Sequence, residues 1–117
     1  MIHNLTRDTI IANNVKLAHT SGQRMKGLLG KENLPQGEAL VITHCQSIHM
    51  FFMKFAIDVI FCDAKDKIVG VCKDVKPFQL SPVFFKASYA IELPSGTIVA
   101  SKTELGDQLQ KMKCLEF

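Results

Sequence analysis

The sequence predicts a mainly β domain, folded as a sandwich or barrel of about seven to nine short strands with one short helix. Three observations support this fold class. Apolar or alternating runs of strand length recur along the chain, turn-forming residues separate them, and a single segment has helical spacing. No repeat or low-complexity tract interrupts this pattern.

Size and composition indicate one domain over residues 1–117. The chain has 117 residues, of which 47% are hydrophobic and 21% charged, as in an ordinary folded globule with a single core. The net charge is +3, but only Arg7 and Arg24 are arginines, and the lysines are scattered among acidic residues. Because a nucleic-acid-binding protein usually has a clustered basic face, we expect no nucleic-acid partner.

The first elements are predicted from turn and capping residues. Thr9–Ala12 and Val15–His19 flank two asparagines, which tolerate tight turns, so they are expected to form a hairpin. A helix is predicted at Ser21–Leu29, because Thr20 and Gln23 fit a capping box. Gly30 is its expected end.

The middle of the chain predicts four strands. Ala39–Thr43 and Ile48–Phe55 are apolar runs of strand length. Ile57–Cys62 and Ile68–Val75 flank a polar turn and are expected to form a second hairpin.

The remaining elements are shorter. Ser88–Leu93 is predicted to be a strand, Ser95–Ser101 either a helical turn or a strand, and Gln108–Leu115 a closing strand after a turn at Leu105–Asp107. Pro77–Lys86 is the longest irregular stretch, and its three phenylalanines are expected to fill the core rather than to face a partner. They are Phe78, Phe84 and Phe85.

Cellular location is predicted from the N-terminus and the cysteines. The opening MIHNLTRDTI has no basic start followed by an apolar run, and no apolar segment reaches membrane-spanning length. The cysteines are widely separated, which favours reduced packing residues: Cys45, Cys62, Cys72 and Cys114. We therefore expect a cytoplasmic protein with no membrane partner.

The stretch IHMFFMKFAIDVIFCD places two charged residues, Lys54 and Asp58, in an otherwise apolar run. Buried charges require partners, so we predict that Arg24 pairs with Asp58 and Glu92 with Lys54. This network either fixes the helix to the sheet or forms a binding site in which polar groups gather a ligand above an aromatic ring. The candidate ligand-binding residues are Arg24, His49, Phe52, Lys54, Asp58 and Glu92.

Metal and nucleophile chemistry have weaker support. The soft donors of a Cu(I) or Zn(II) site are present at His44, Cys45, His49, Met50 and Met53, but their spacing on a strand separates the side chains and no second Cys/His pair follows. Cys45 is also a candidate nucleophile, with His44 or His49 as its base. Adjacent residues on a strand point to opposite sides, which disfavours the pairing with His44. No cofactor or metal is predicted, and no common catalytic motif is present.

Three blocks, in order, resemble the bacterial and archaeal domain of unknown function 192 (DUF192) family: SGQRMKGLLG, IHMFFMKFAIDVIFCD, and YAIELPSG with the later GD. Ala56 departs from the pattern, since similar sequences often have proline there. The resemblance covers nearly the whole chain and implies a jelly-roll-like sandwich. It implies no established reaction or cofactor. Many relatives look exported, whereas this chain lacks the signal.

These observations favour a binding protein. We predict a pocket near Ile48–Asp63 that takes a small polar or anionic ligand or a protein partner. The alternatives are an uncharacterised enzyme that uses Lys54, Asp58 or His49, and a purely structural interaction module. The oligomeric state and the identity of the ligand are not predicted by the sequence.

Overall fold

A computed structural model describes residues 1–112, with the side chains of Ser21 and Met25 excepted. In that range the fold is mainly β and sandwich-like, with seven strands and two short helices. The elements in chain order are β1 (Ile2–Asn4), β2 (Thr9–Ala12), β3 (Asn14–Ala18), α1 (Ser21–Lys26), β4 (Glu38–Thr43), β5 (Ile57–Cys62), β6 (Ile68–Val75), β7 (Tyr89–Pro94) and α2 (Thr97–Ala100). The predicted fold class is confirmed as a sandwich; the strands of residues 1–112 form no closed barrel.

The strands form two sheets. The larger has five strands in the order β3-β4-β7-β5-β6, and the smaller pairs β1 with β2. The predicted hairpin of β5 and β6 is confirmed by their antiparallel pairing. Strand β7 lies at the centre of the larger sheet, antiparallel to both β4 and β5, and all six of its residues are buried.

The predicted hairpin between β2 and β3 is wrong, although both strands exist. Strand β2 pairs with β1 instead, and β3 runs parallel to β4. The two asparagine N–H groups at positions 13 and 14 donate to the carbonyl oxygen of Gly37, at 2.8 and 3.0 Å. A parallel pair needs a long crossover, and α1 lies in that connection.

Helix α1 begins as predicted and ends earlier. The capping box is present: the Thr20 hydroxyl accepts from the Gln23 N–H at 3.1 Å, and the Gln23 side chain accepts from the Thr20 N–H at 3.3 Å. The helix ends at Gly27 instead of Gly30. Both glycines have positive φ, of 48° and 83°, so the earlier one already ends the helix.

The five-stranded sheet has an apolar core on each face. The first core contains Ile60, Ile91 and Leu93 and packs against the β1–β2 pair and α2. The second core contains Val59, Phe61 and Ala90 and packs against the residues that follow α1 and the loops around Met50 and Ala87. Successive residues of one strand therefore face different cores.

The prediction of a strand at Ile48–Phe55 is wrong. Only His49 makes a bridge, to Leu80, and the chain then turns before β5 begins. Met50 and Met53 are buried while the two phenylalanines between them are exposed. That spacing suits a turn that faces the core at both ends, and it is incompatible with strict alternation.

The last part of the chain is partly as predicted. Ser95–Ser101 contains the helical turn α2, and a turn lies at residues 105 and 106. The predicted strand Gln108–Leu115 is reduced in the described residues to single bridges, Gln108 to Lys67 and Leu109 to Asn4. Its residues from 113 onward lie outside the described range.

The phenylalanines of Pro77–Lys86 divide between core and surface. Phe84 belongs to the second core, where its ring lies 4.6 Å from that of Phe61 and above Gly70. Phe78 and Phe85 are 63% and 82% exposed, so the prediction that they fill the core is wrong.

Cys45, Cys62 and Cys72 are free thiols, and Cys114 lies outside the described residues. Burial raises the pKa of Cys62 to about 12, which keeps this thiol protonated inside the first core. Neither α1 nor α2, the two helices within residues 1–112, has the length and apolar character needed to cross a membrane.

Candidate functional site

Glu92 is an isolated carboxyl group inside the second core. It lies on β7 between Leu40 of β4 and Val59 of β5, and it is 7% exposed. Alternation along β7 turns it to the face opposite that of Ile91 and Leu93. Its neighbours across the sheet are therefore apolar.

No described group of residues 1–112, which leaves aside the side chains of Ser21 and Met25, makes a hydrogen bond or an ion pair with the Glu92 carboxyl. Burial alone raises its pKa from 4.5 to about 7, because the low-polarity surroundings disfavour the charged form. A buried polar group normally has a partner, so an unpaired carboxyl is a departure that calls for a functional account.

A small cavity of about 90 Å³ opens beside Glu92. We call it the Glu92 pocket. Apolar side chains form much of its wall, and two exposed residues, Lys26 and His49, border it. The apolar wall residues are Leu28, Leu29, Ile48, Met50 and Met53. An apolar pocket with one polar anchor is the usual design of a ligand site.

Gly27 forms part of this pocket at the end of α1. A Cβ on Gly27 would lie 3.9 Å from Glu92 Oε1 and 3.9 Å from the carbonyl oxygen of Arg24. A carboxyl oxygen and a carbonyl oxygen from the C-terminal turn of α1 therefore both lie close to the Gly27 backbone. Both are acceptors of negative character, so this end of the pocket favours a hydrogen-bond donor or a cation.

The wall of the pocket continues into a strained turn. The N–H of Met53 donates to the carbonyl oxygen of Met50 at 3.2 Å, which closes a turn over residues 50–53. Phe52 occupies the third position of this turn with φ of 63°. Glycine or asparagine is usual there, because a side chain with a positive φ costs about 1–2 kcal/mol.

A second turn beside the first repeats this arrangement. The N–H of Gln79 donates to the carbonyl oxygen of Lys76 at 3.1 Å, and Phe78 is at the third position with φ of 68°. The two turns are joined through Met50, whose N–H donates to Gln79 and whose carbonyl accepts from Phe78 at 2.7 Å. Two bulky residues thus occupy positions that suit glycine.

The two turns present an apolar surface next to the Glu92 pocket. The Phe52 and Phe78 rings meet edge to face with centroids 6.1 Å apart, although the side chains are 77% and 63% exposed. The His49 ring lies 5.1 Å from that of Phe51, and His49 pairs with Leu80. We call Phe51, Phe52, Phe78 and Leu80 the aromatic surface. His49, Met50 and Met53 connect it to the pocket.

Comparison with known proteins places the sequence in a family. The family model that matches is DUF192, described as "Uncharacterized ACR", over residues 2–111. The chain belongs to the DUF192 family. It is 33% identical to the UPF0127 protein of Thermococcus sibiricus over 113 residues, covering 93% of this chain and 73% of the relative. It is also 32% identical to the UPF0127 protein of Pyrococcus horikoshii, over 94% of this chain and 97% of the relative.

A solved structure supports the fold. The crystal structure of a protein of unknown function from Novosphingobium aromaticivorans matches with a TM-score of 0.75 at 18% identity, covering 83% of this chain and 74% of that one. An identity this low supports the shared fold only. The family resemblance predicted from the three sequence blocks is confirmed by the family model and the UPF0127 relatives.

Asp58 of this DUF192 domain does not pair with Arg24, contrary to the prediction. Its carboxylate accepts three backbone hydrogen bonds, from the N–H groups of Asp74 at 2.8 Å, Gly96 at 3.1 Å and Ile98 at 2.9 Å. Asp58 is buried beside Leu93, on the face of the sheet opposite Glu92. Its partners fix the start of α2 to the sheet, which is a structural role.

Lys54 does not pair with Glu92 either. Its ammonium lies 2.7 Å from a carboxylate oxygen of Glu32, and both side chains are largely exposed. The chain turns before Lys54, so the side chain points away from the second core instead of entering it. Arg24 donates to the His19 carbonyl at 3.4 Å. Of the predicted residues, His49 and Glu92 line the pocket, and Phe52 lies on the adjoining aromatic surface.

The nucleophile and metal hypotheses find little support in the geometry. Cys45 lines a separate, larger depression with His44, of about 680 Å³, and its thiol donates to the Ser47 carbonyl at 3.1 Å. Burial raises the pKa of Cys45, and the charge of Glu92 adds to this effect. An activated cysteine has the opposite shift. Among residues 1–112, no three His, Cys, Asp or Glu side chains are arranged to hold a metal ion.

Several site residues were not predicted. Lys26 is the last residue of α1 and Gly27 follows it. Phe78 follows Pro77, and proline is typical of the second position of a turn. Pro77 therefore carried a signal for a turn with Phe78 at its third position, but not for the positive φ or the exposure of Phe78. The grouping of the two turns depends on long-range hydrogen bonds, which no local pattern encodes.

Proposed function

We propose that this DUF192 domain is a protein-binding module. A segment of a partner polypeptide lies on the aromatic surface, and one of its side chains enters the Glu92 pocket. The enzyme alternative has less support, because burial raises the pKa of the Cys45 thiol, and Lys54 and Asp58 are engaged elsewhere.

The observation that carries the proposal is the pair of exposed phenylalanines at positive φ. Together they cost about 2–4 kcal/mol in backbone strain, at 1–2 kcal/mol each. Their mutual edge-to-face contact returns only about 0.5–1.5 kcal/mol. Folding alone gives no reason to keep large rings at these two positions, whereas partner binding does.

The size of the pocket supports a polypeptide over a free small molecule. A volume of about 90 Å³ holds the end of one side chain. Typical small-ligand pockets span roughly 300–1,000 Å³. Exposed aromatic residues around a side-chain-sized pocket are typical of the central anchors in protein interfaces.

Selection from a library of random twelve-residue peptides tests the proposal. The wild-type domain is the bait, and the double variant Phe52→Asn/Phe78→Asn is the comparison. Leu105→Ser serves as a matched control, because Leu105 is an exposed apolar residue, 65% accessible, outside the two turns. We expect selected peptides to bind the wild type and Leu105→Ser equally, and the double variant about tenfold or more weakly.

Two outcomes would contradict the proposal. Selected peptides that bind the double variant as tightly as the wild type would place binding elsewhere. Self-association in sedimentation that disappears in the double variant would assign the aromatic surface to a second copy of the chain.

A cytoplasmic location remains a prediction, supported by the free thiols of Cys45, Cys62 and Cys72.

A further inference from the structure

The Glu92 pocket has a defined chemical preference. We propose that it binds a primary ammonium group on an apolar stem, such as the end of a partner's lysine side chain. This inference rests on the proposed protein-binding function and names the side chain that enters the pocket.

The first argument is the unmet hydrogen-bonding capacity of the Glu92 carboxyl group. Glu92 is more than nine-tenths buried, and none of the described side chains and backbone N–H groups of residues 1–112 donates to its carboxyl group. An ionised carboxylate in an apolar core is stable only when a cation or several donors reach it. A ligand ammonium supplies both the charge and three donors.

The second argument is the character of the surrounding backbone. The Arg24 carbonyl oxygen and Glu92 Oε1 both lie 3.9 Å from the site of an absent Gly27 Cβ. The Arg24 carbonyl belongs to the last turn of α1, where acceptors are left without helical partners. Because Gly27 has no side chain, the space beside Glu92 Oε1 and near the Arg24 carbonyl oxygen stays open for an ammonium.

The third argument is the fit of the stem. The walls of the pocket are apolar, with Leu28, Met50 and Met53 among them. Long lysine side chains bury their methylene groups against such surfaces and hold the charged end at a polar group. A cavity of about 90 Å³ suits the ammonium and its last few methylenes.

Four other titratable or charged groups surround this site and enter the test. Lys26 and His49 border the pocket. Cys45 and Arg24 lie nearby, since the charges of Glu92 and Arg24 both affect the pKa of Cys45. Lys26 makes no ion pair with Glu92 in the described residues. The Lys26 ammonium repels a bound cation, so Lys26→Met should bind a cation at least as well as the wild type.

Titration with n-butylamine, monitored by NMR on the full chain, tests the inference directly. 1-Butanol is the matched control, because it has the same stem without the charge. At pH 8 we expect n-butylamine to bind with a dissociation constant of about 1–10 mM and to shift the amide signals of Gly27, Met50 and Glu92. We expect 1-butanol to bind about tenfold or more weakly.

Variants and pH identify the group responsible. Glu92→Gln should lose about tenfold or more of the n-butylamine affinity, whereas Glu38→Gln on β4 should not change it. Affinity should fall about tenfold or more between pH 8 and pH 5.5 as Glu92 gains a proton. The same fall in His49→Gln would show that protonation of His49 does not cause it.

The inference is overturned if 1-butanol binds as tightly as n-butylamine, if Glu92→Gln retains full affinity, or if neither the wild type nor Lys26→Met binds n-butylamine. These failures are distinct from failure of the proposed function. Peptides that need Phe52 and Phe78 but contain no lysine would overturn only the ammonium preference. If no selected peptide depends on these residues, the function itself fails.

Discussion

The N–H of Ile98 donates a 2.9 Å hydrogen bond to the Asp58 carboxylate and thereby ties α2 to the start of β5. Two further N–H groups, from Asp74 and Gly96, complete the carboxylate's partners. Asp58 therefore belongs to the architecture, and the candidate binding site lies on the other face of the sheet around Glu92.

Asp58→Ala should destabilise the domain strongly. Three buried or half-buried N–H groups would lose their acceptor, which we expect to lower the free energy of unfolding by about 3 kcal/mol. Urea denaturation followed by circular dichroism measures this change. Glu32→Ala, which alters a carboxylate that is 79% exposed, is the control and should cost less than about 0.5 kcal/mol. A loss below about 1 kcal/mol at Asp58 would contradict the structural role.

Lys54→Ala should leave the domain almost unchanged. The ion pair with Glu32 is largely exposed, and pairs of this kind contribute about 0–1 kcal/mol. We expect a change in unfolding free energy below about 0.5 kcal/mol, with unchanged affinity for peptides selected on the aromatic surface. If Lys54→Ala abolished peptide binding while the fold stayed intact, the site would extend to this lysine.

Phe52→Asn and Phe78→Asn should separate stability from binding. Asparagine tolerates a positive φ, so each replacement relieves strain while it removes an exposed ring. We expect the unfolding free energy to stay the same or rise by up to about 1 kcal/mol per site, and the melting temperature to follow it. The affinity for selected peptides should fall. A marked loss of stability in either variant would mean that the rings mainly support the fold.

Glu92 should make the stability of the domain fall as the pH rises. Its folded pKa of about 7 lies above the unfolded value of 4.5, so the unfolded state ionises first. The penalty begins near the unfolded pKa, grows up to the folded pKa and is then constant, reaching about 3 kcal/mol at pH 8. Urea denaturation between pH 4 and pH 8 should show this decline in the wild type.

The control for this pH dependence is Glu92→Gln, which cannot ionise. Its unfolding free energy should lack the part of the decline that comes from Glu92. The unfolding free energy of the variant minus that of the wild type should therefore increase as the pH rises. Parallel profiles for the two proteins from pH 4 to pH 8 would mean that the carboxyl group is either exposed to solvent or paired.

Local sequence signals predicted the elements whose stabilisation is local. The capping box of Thr20 and Gln23 marked the start of α1, and the alternating runs on either side of the turn after Cys62 gave the β5–β6 hairpin. Prediction failed where distant backbone contacts decide the conformation. Strand β3 pairs with β4 across the α1 crossover, and the carbonyl of Gly37 receives the N–H groups of the expected hairpin turn.

The candidate site was predicted in part for the same reason. Glu92 was recognisable because it stands in an apolar strand, and its proximity to His49 was not predicted. The stretch from Ile48 to Phe55 looked like a strand because both faces were apolar. Its exposed phenylalanines belong to a turn that is bonded to Phe78 and Gln79, which lie some thirty residues away in the sequence. Asp58 was expected to need a cation, yet backbone donors satisfy it.

The most direct test of the binding site is a map of amide chemical-shift changes when a selected peptide binds the ¹⁵N-labelled domain. We predict that the changes concentrate at residues 26–29, 48–53, 78–80 and 92, because the pocket and the aromatic surface act as one site. Changes centred instead on the depression between β2 and α2, around Ile10 and Ala100, would contradict the account.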